Sequence, residues 1–165
     1  MLWLLFGTVV VVCMLSATYS LSGQWERIPD GAATDFGVPK ERFTLTQIGP
    51  VVYGRGSIAG GEQRFFGLTV ATHVWLWRRD YGQGPFHKQG FPPELIPLLQ
   101  GRCTAKLHLV LSADRFFVSG HFFPKRIEFE VDPPRLLMES YTKPQVRQYR
   151  RIAMIEAGST LTTRS

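Results

Sequence analysis

The first 25 residues of the chain carry no Asp, Glu, Lys or Arg, and the first charged side chain is Glu26. A bilayer core about 30 Å thick needs about 20 helical residues, and the apolar stretch from Leu2 to Tyr19 is long enough to cross it. We therefore predict a single transmembrane anchor helix over residues 1–23. Aromatic rings near both ends of this segment are predicted to contact the membrane: Trp3, Tyr19 and Trp25.

Lysine and arginine are also missing ahead of the apolar stretch, although a cleaved signal peptide would begin with a positively charged region. An uncleaved anchor is therefore predicted, with the signal peptide as the alternative. The nearest basic residues all follow the anchor: Arg27, Lys40 and Arg42. The positive-inside rule then favours a single-pass protein of the inner (cell) membrane, with its main domain on the cytoplasmic side.

Cysteine is scarce, with only Cys13 and Cys103 in 165 residues. This scarcity excludes a disulfide-stapled scaffold and a four-cysteine zinc module. Because Cys13 would lie in the bilayer and Cys103 in the main domain, the two are not expected to pair. Hydrophobic residues make up 44% of the chain, which is enough for the core of one domain.

The chain beyond the anchor lacks long helical patterns and reads as short strands and turns. We predict a membrane-surface connector over residues 24–41, an antiparallel β domain over 42–155 and a C-terminal tail over 156–165. One short helix is predicted over residues 92–100, because prolines open it and Gly101 follows it. The fold class is therefore all-β with one N-terminal transmembrane helix, the β domain being an antiparallel barrel or sandwich of about eight strands plus one short helix.

Alternating or continuous apolar runs mark the predicted strands, and Gly, Pro and Asp mark the turns between them. Gly60 and Gly61 are interpreted as a turn, and Asp80 and Asp114 as turn residues, since Asp favours turns. The predicted strands cover residues 43–48, 51–57, 64–71, 73–79, 106–111, 115–123, 127–131, 136–141 and 146–152.

Catalytic motifs are absent from the sequence, which contains no G-x-S-x-G, H-E-x-x-H or C-x-x-C. Gly54 and Gly56 do not precede a helix, as a dinucleotide-binding loop requires, and are interpreted as a bulge. His108 and His121 are predicted on neighbouring strands, but no third ligand is evident and Lys106 beside them would repel a cation. We therefore expect no enzymatic activity, no cofactor and no bound metal.

Aromatic residues are abundant, and two tryptophans stand two positions apart in one predicted strand. Successive side chains of a strand point to opposite faces, so Trp75 and Trp77 share one face while Val74 and Leu76 share the other. Such a strand is either buried on both sides or covered by a partner, and Trp is enriched in interfaces. We predict that the Trp75/Trp77 face contacts a partner, with core packing as the alternative.

The net charge is +6, and basic residues are concentrated near the C-terminus. A solvated face, anionic lipid headgroups or acidic loops of a partner subunit would each suit this cluster. Nucleic acid is not expected as a partner, because the chain has no RNA-binding signature. The predicted contact residues of the cluster are Arg147, Tyr149, Arg150 and Arg151.

These features predict a non-enzymatic accessory or scaffold subunit of a larger membrane protein complex. The anchor would pack against integral membrane subunits, and the β domain would brace their extramembrane face. Energy-transducing assemblies, such as bacterial photosynthetic reaction-centre–antenna or respiratory complexes, are the expected hosts. The alternative is a membrane-tethered β-barrel that binds a lipid, a pigment or another apolar ligand.

Overall fold

The computed structural model describes residues 19–29, 41–58 and 60–154. Residues 1–18 of the predicted anchor lie outside the described residues. Most of the predicted connector and the whole predicted tail lie outside them as well. Within the described ranges, we find no helix that is both long and apolar enough to cross a membrane.

The described chain forms an antiparallel sheet in which eight strands close into a barrel. The barrel order is β1–β2–β3–β4–β5–β6–β7–β9, and β9 pairs with β1. The predicted all-β antiparallel fold is therefore confirmed, in its barrel form. The strands are β1 (Gly23–Ile28), β2 (Arg42–Ile48), β3 (Val51–Ile58), β4 (Gly61–Val70), β5 (His73–Tyr81), β6 (Cys103–Leu111), β7 (Phe117–Glu130), β8 (Arg135–Tyr141) and β9 (Gln145–Met154).

Short helical segments connect β5 to β6: α1 (Gly84–Lys88), a 3-10 turn (Pro93–Leu95) and α2 (Ile96–Leu99). The short helix predicted over residues 92–100 is therefore present, divided into the 3-10 turn and α2. Pro97 fits because it stands in the first turn of α2, where its missing N–H has no helical partner to lose. Gly101 follows with φ +70°, a conformation that favours glycine.

Two strands differ from the prediction. Residues 23–28, assigned mostly to the connector, form β1 between β2 and β9. Residues 117–130, predicted as two strands, form one strand of 14 residues. This long strand changes partners near Pro124: residues 117–122 pair with β9, whereas residues 125–130 pair with β8. The second half of β7 and β8 therefore extend beyond the barrel, and we call them the β7–β8 arm.

The two ends of the barrel differ in character. The β2–β3, β4–β5 and β6–β7 turns lie at one end, where Tyr19 packs beneath the guanidinium of Arg115. We call it the Tyr19 end. The helical segments and the β7–β8 arm lie at the other, which we call the helical end. A second apolar cluster fixes the helices on the arm: Phe86, Leu95, Ile96, Leu99 and Ile127, with Phe91, Phe129 and Leu136 packed beside it.

The apolar part of the barrel interior is packed with side chains. Trp25 is fully buried near the Tyr19 end, where its indole N–H donates to the carbonyl oxygen of Leu21 at 3.0 Å. Phe43, Phe65 and Tyr149 fill the middle, with Phe43 at 4.8 Å and 5.0 Å from the other two ring centroids. Burial of this apolar surface is the main favourable contribution to folding.

Inward-facing glycines allow the strands to bend around these large side chains. A Cβ added to Gly54 would collide with the Thr44 carbonyl oxygen, and one added to Gly67 with that of Trp75. Gly54 and Gly56 pair with β2 and β4 without a register shift, so the predicted bulge is wrong. The turn predicted at Gly60 is confirmed, and its φ of +77° favours glycine.

Candidate functional site

The outer side of β3 to β6 carries a continuous set of exposed apolar side chains. Trp77 lies between Phe66 of β4 and Lys106 of β6, and Trp75 lies between Leu68 and His108. Val74 and Leu76 point into the core, so the predicted separation of the two faces of β5 is confirmed. We call the following exposed residues the Trp face: Tyr53, Phe66, Leu68, Val70, Trp75, Trp77 and Val110.

Histidine rings hold one of the two tryptophans in place. The Trp75 indole stacks on the His108 ring at 5.1 Å with an interplanar angle of 7°. The His73 ring stacks on both, with its centroid 5.8 Å from that of Trp75 and 5.5 Å from that of His108. The Nδ1 atom of His73 lies 3.3 Å from Nε2 of His108. His108 and His121 lie on neighbouring strands, as predicted, and the structure makes them direct cross-strand partners. No group of three potential metal ligands occurs among residues 19–29, 41–58 and 60–154.

Two shallow depressions flank Trp77. One has a volume of about 600 Å³ and is lined by residues that include Tyr53, Phe66, Arg79 and Tyr81. The other, of about 290 Å³, is lined by residues on the opposite side of the indole, among them Trp75, Lys106, His108, Phe123 and Tyr141. The Trp face is therefore ridged, with a projecting ring between two recesses into which side chains of a partner could fit.

A row of cations borders the Trp face towards the helical end. Arg55, Arg64 and Arg79 are consecutive cross-strand partners. Glu62 faces two of them, with Arg64 Nε at 3.0 Å and Arg55 Nε at 3.9 Å. The hydrogen bond from Arg64 lowers the pKa of Glu62. Within the part of the chain that the structure describes, Arg79 has no ion pair, so the row carries excess positive charge.

The aromatic residues predicted to contact the membrane are placed differently. Trp3 lies outside the described residues. Tyr19 is half-buried at the Tyr19 end, with the Arg115 guanidinium 5.8 Å from its ring. Trp25 is fully buried beneath Arg151, because β1 directs it into the barrel. Its predicted membrane contact is therefore corrected: Trp25 belongs to the core.

The predicted basic contact cluster is divided by the alternation of β9. Arg147, Tyr149 and Arg151 point inward, whereas Arg150 points outward and donates to Glu26 Oε2 from Nε and Nη2 at 3.0 and 2.6 Å. Arg151 Nη2 donates to the Ser20 carbonyl at 2.6 Å, and burial lowers the pKa of this guanidinium. These side chains therefore form no common outer surface, and the prediction of one contact patch is corrected.

Charged side chains enter the barrel at the helical end. Arg78 Nη2 donates to Asp80 Oδ2 at 3.1 Å, and its Nε donates to the Thr104 hydroxyl at 3.3 Å. Glu41 lies between two guanidinium groups, at 3.7 Å from Arg78 and 3.3 Å from Arg147. All of these groups are buried or nearly so, and they form one connected network.

A cavity of about 320 Å³ lies over this network. Phe122 forms part of its wall, with the guanidinium carbons of Arg147 and Arg78 at 3.4 Å and 5.2 Å from the ring centroid. Gln63 is fully buried in the lining, and neither oxygen nor nitrogen of its amide finds a partner among the described residues. We call this space the mouth cavity.

Sequence reasoning missed the mouth cavity. The signal was present in the inward positions of β4 and β5, where Gln63, Arg78 and Asp80 continue the alternation of buried apolar residues. Asp80, predicted in a turn, lies within β5. Asp114 does lie in a turn, where hydrogen bonds from the Ser112 hydroxyl and the Phe116 N–H lower its pKa.

Comparisons with known proteins give no assignment: no family model matches the chain, and no curated protein or solved structure is significantly similar to it. The side chains of the Trp face and of the mouth cavity are therefore the features of the molecule that bear on its function.

Proposed function

We propose that this protein is a non-enzymatic accessory subunit of a membrane protein complex, and that the Trp face docks on an integral membrane subunit. The apolar N-terminal segment would anchor it once in the inner membrane, with the barrel on the cytoplasmic side. The observation that carries the proposal is the Trp face itself. Soluble monomers rarely expose a large contiguous apolar patch, and such patches mark interaction sites.

The chemistry of the Trp face favours a protein partner. Trp and Tyr are enriched among the residues that dominate binding energy, and the recesses beside Trp77 would accept side chains. Among the described residues, Glu62 is the only carboxylate that pairs with the cation row of Arg55, Arg64 and Arg79, so the matching surface should be apolar with acidic residues at its edge. A lipid surface would supply negative charge but no shape for the recesses.

The position of the Trp face agrees with a membrane-embedded partner. Its apolar side chains continue to the Tyr19 end. Val70 is the last residue of β4 before the β4–β5 turn, and Val110 lies near the end of β6 before the β6–β7 turn. Tyr19 lies at this same end, directly after the uncharged segment of residues 1–18. An anchor in the bilayer would therefore hold the apolar part of the Trp face near the membrane and the cation row farther away.

The alternative of an apolar ligand inside the barrel has less support. Aliphatic and aromatic side chains occupy the apolar part of the interior. The mouth cavity, by contrast, is lined largely by charged and amide side chains. Photosynthetic and respiratory complexes remain the proposed hosts because such assemblies often include single-span subunits.

Co-purification of the full chain from its native membranes tests the proposal. The variant Trp75→Ser/Trp77→Ser removes the centre of the Trp face, whereas Val146→Ser/Ile152→Ser changes exposed apolar residues on β9, on the other side of the barrel. We expect stoichiometric integral membrane subunits with the wild type and the β9 variant. Loss of a single dominant interface tryptophan costs about 2 kcal/mol or more, which is about thirtyfold in affinity, so the double Trp variant should weaken the affinity for the partner by at least that factor.

Three results would contradict the proposal. The wild type could migrate as a free monomer in mild detergent, or the Trp variant could retain its partner while its thermal unfolding matches the wild type. Equal binding of all three proteins to protein-free anionic vesicles, without any subunit in the eluate, would instead assign the cation row to lipid headgroups.

A further inference from the structure

The mouth cavity lies at the helical end of the barrel, away from the Trp face. Pro85 and Lys88 of α1 line it on one side, and Pro124 and Lys125 of β7 line it on another. Its volume of about 320 Å³ falls within the range of about 300–1,000 Å³ that is typical of small-molecule sites. None of its lining residues belongs to the Trp face or to the cation row.

The charges around the mouth cavity favour an anion. The lining contains five cationic and two anionic side chains: Arg27, Arg78, Lys88, Lys125 and Arg147 against Glu41 and Asp80. Lys125 pairs with Glu139, outside the lining, and this pairing lowers the pKa of Glu139. Even with that carboxylate included, positive charge is in excess. A recess of low dielectric whose lining has a net positive charge concentrates anionic ligands.

Buried polar atoms in the lining also lack partners within the described ranges. They include two donors, Nε2 of Gln63 and Nε of Arg147, and two acceptors, Oε1 of Gln63 and Oδ1 of Asp80. Gln63 and Asp80 are each fully buried. A buried polar group without a hydrogen bond costs about 1–3 kcal/mol, so a protein seldom retains several together unless something binds there.

We propose that the mouth cavity binds a small organic carboxylate that carries its own hydrogen-bond donor, such as a hydroxy acid. The carboxylate would meet the guanidinium and ammonium groups, which favour carboxylates strongly. The donor of the ligand would meet Gln63 Oε1 or Asp80 Oδ1. A cation would be repelled, and an inorganic anion without a proton would leave both acceptors unsatisfied.

Calorimetric titration of the full chain in detergent tests this assignment with a matched pair of ligands. L-Malate and succinate differ by a single hydroxyl group, and sulfate offers charge without a donor. We expect L-malate to bind about tenfold more tightly than succinate, since one hydrogen bond contributes about 1 kcal/mol or somewhat more. Sulfate should bind more weakly than either carboxylate.

Two variants locate the binding. Gln63→Leu keeps the size of the side chain and should reduce the preference for L-malate over succinate to near unity, with thermal stability equal to or above that of the wild type. Lys88→Gln should weaken both carboxylates, because Lys88 is an exposed cation at the mouth with no ion pair in the described part of the chain. Lys143→Gln, an exposed lysine outside the lining, is the matched control and should change neither.

The assignment would be overturned if no carboxylate bound at millimolar concentration, if sulfate bound as tightly as L-malate, or if Gln63→Leu kept the full preference for L-malate. The first result would mean that water alone satisfies these groups. Because Gln63 and Lys88 lie outside the Trp face, each result is independent of partner docking, so the two proposals can fail separately.

Discussion

Single residues of β9 show how the inward or outward position of a side chain decides its role. Arg150 points outward and pairs with Glu26, whereas Tyr149 and Arg151 point inward and are buried. Read along the chain, these residues form one basic cluster. In the barrel, the pleat of β9 directs successive side chains to opposite sides of the sheet. Arg150 therefore makes an ion pair on the outer side, whereas Arg151 is buried inside.

Tyr149 allows a test of this inward placement. Burial, reinforced by the charge of Glu41, raises the pKa of its hydroxyl from 10.0 to about 12. The pKa of Tyr149 is higher in the folded state than in the unfolded state. Its contribution to the free energy of unfolding is therefore fully present below pH 10 and is lost as the pH rises through about 12. The difference of about 2 between the two pKa values corresponds to about 3 kcal/mol of unfolding free energy. The Tyr149→Phe variant should therefore lose less stability than the wild type over this range.

Urea unfolding at neutral pH, at pH 10 and at pH 12 measures this difference. At neutral pH, the variant should match the wild type within about 1 kcal/mol, since the hydroxyl is uncharged there and the Arg147 guanidinium beside it is already paired with Glu41. Parallel losses of stability in both proteins between pH 10 and pH 12 would show that Tyr149 does not ionise from a buried position.

The sequence was informative at the residue scale where alternation was regular. Trp75 and Trp77 alternate with Val74 and Leu76, and that alternation alone predicted both faces of β5. It failed for Trp25, because the only strongly apolar inward residue of β1 is Trp25 itself. Next to an uncharged segment, a lone tryptophan resembles a membrane-interface residue, and only pairing with distant strands shows that it belongs to the core.

At the scale of elements, the β7–β8 arm and the helical segments form a unit attached to one end of the barrel. Leu95 and Leu99 pack against Ile127 of the arm, and Glu139 accepts from Lys125 and from Arg102, the latter at 3.0 Å. β8 pairs only with the second half of β7 among the described strands. Such a unit can open locally without unfolding the barrel.

Hydrogen exchange of Leu99→Ala tests this independence, with Leu98→Ala as its control. Leu99 is fully buried and Leu98 is exposed, although both belong to α2. Truncation of a buried leucine costs about 2–5 kcal/mol, so amides of residues 84–99 and 125–141 should lose protection in Leu99→Ala. Barrel amides in both variants should match the wild type. An equal loss of protection in the barrel would show that arm and barrel unfold as one unit.

Most elements were predictable, and the exceptions have physical causes. Turn residues separated β2 to β6 clearly, as in the turn at Gly60. β7 was predicted as two strands because Pro124 ordinarily interrupts a ladder. The strand continues because Pro124 stands where β7 exchanges β9 for β8, and its carbonyl oxygen still accepts from the Thr142 N–H at 2.9 Å.

At the scale of the whole molecule, closure of the barrel separates two surfaces of opposite chemistry. β1 and β9 lie far apart in the chain, and their pairing completes the ring. Local patterns predicted the strands but left barrel and sandwich open, because neither pattern nor composition encodes that long-range pair. Once the ring closes, inward polar positions of β4 and β5 gather in the mouth cavity and outward aromatic positions gather in the Trp face.

Our central proposal is that the Trp face docks on an integral membrane protein, at an apolar surface with acidic residues along its edge. Photo-crosslinking in native membranes tests it most directly, with benzoylphenylalanine introduced in the full chain at position 66 or at position 146. Phe66 lies beside Trp77 on the Trp face and Val146 lies on β9, and both are well exposed.

We predict that position 66 forms a crosslink to one integral membrane protein, that the crosslinked peptide contains Asp or Glu beside apolar residues, and that position 146 forms none. The added change Arg79→Glu should weaken the crosslink, because it reverses a cation in the row beside the Trp face. Crosslinks of equal yield from both positions, or crosslinks from position 66 to lipid alone, would contradict the account.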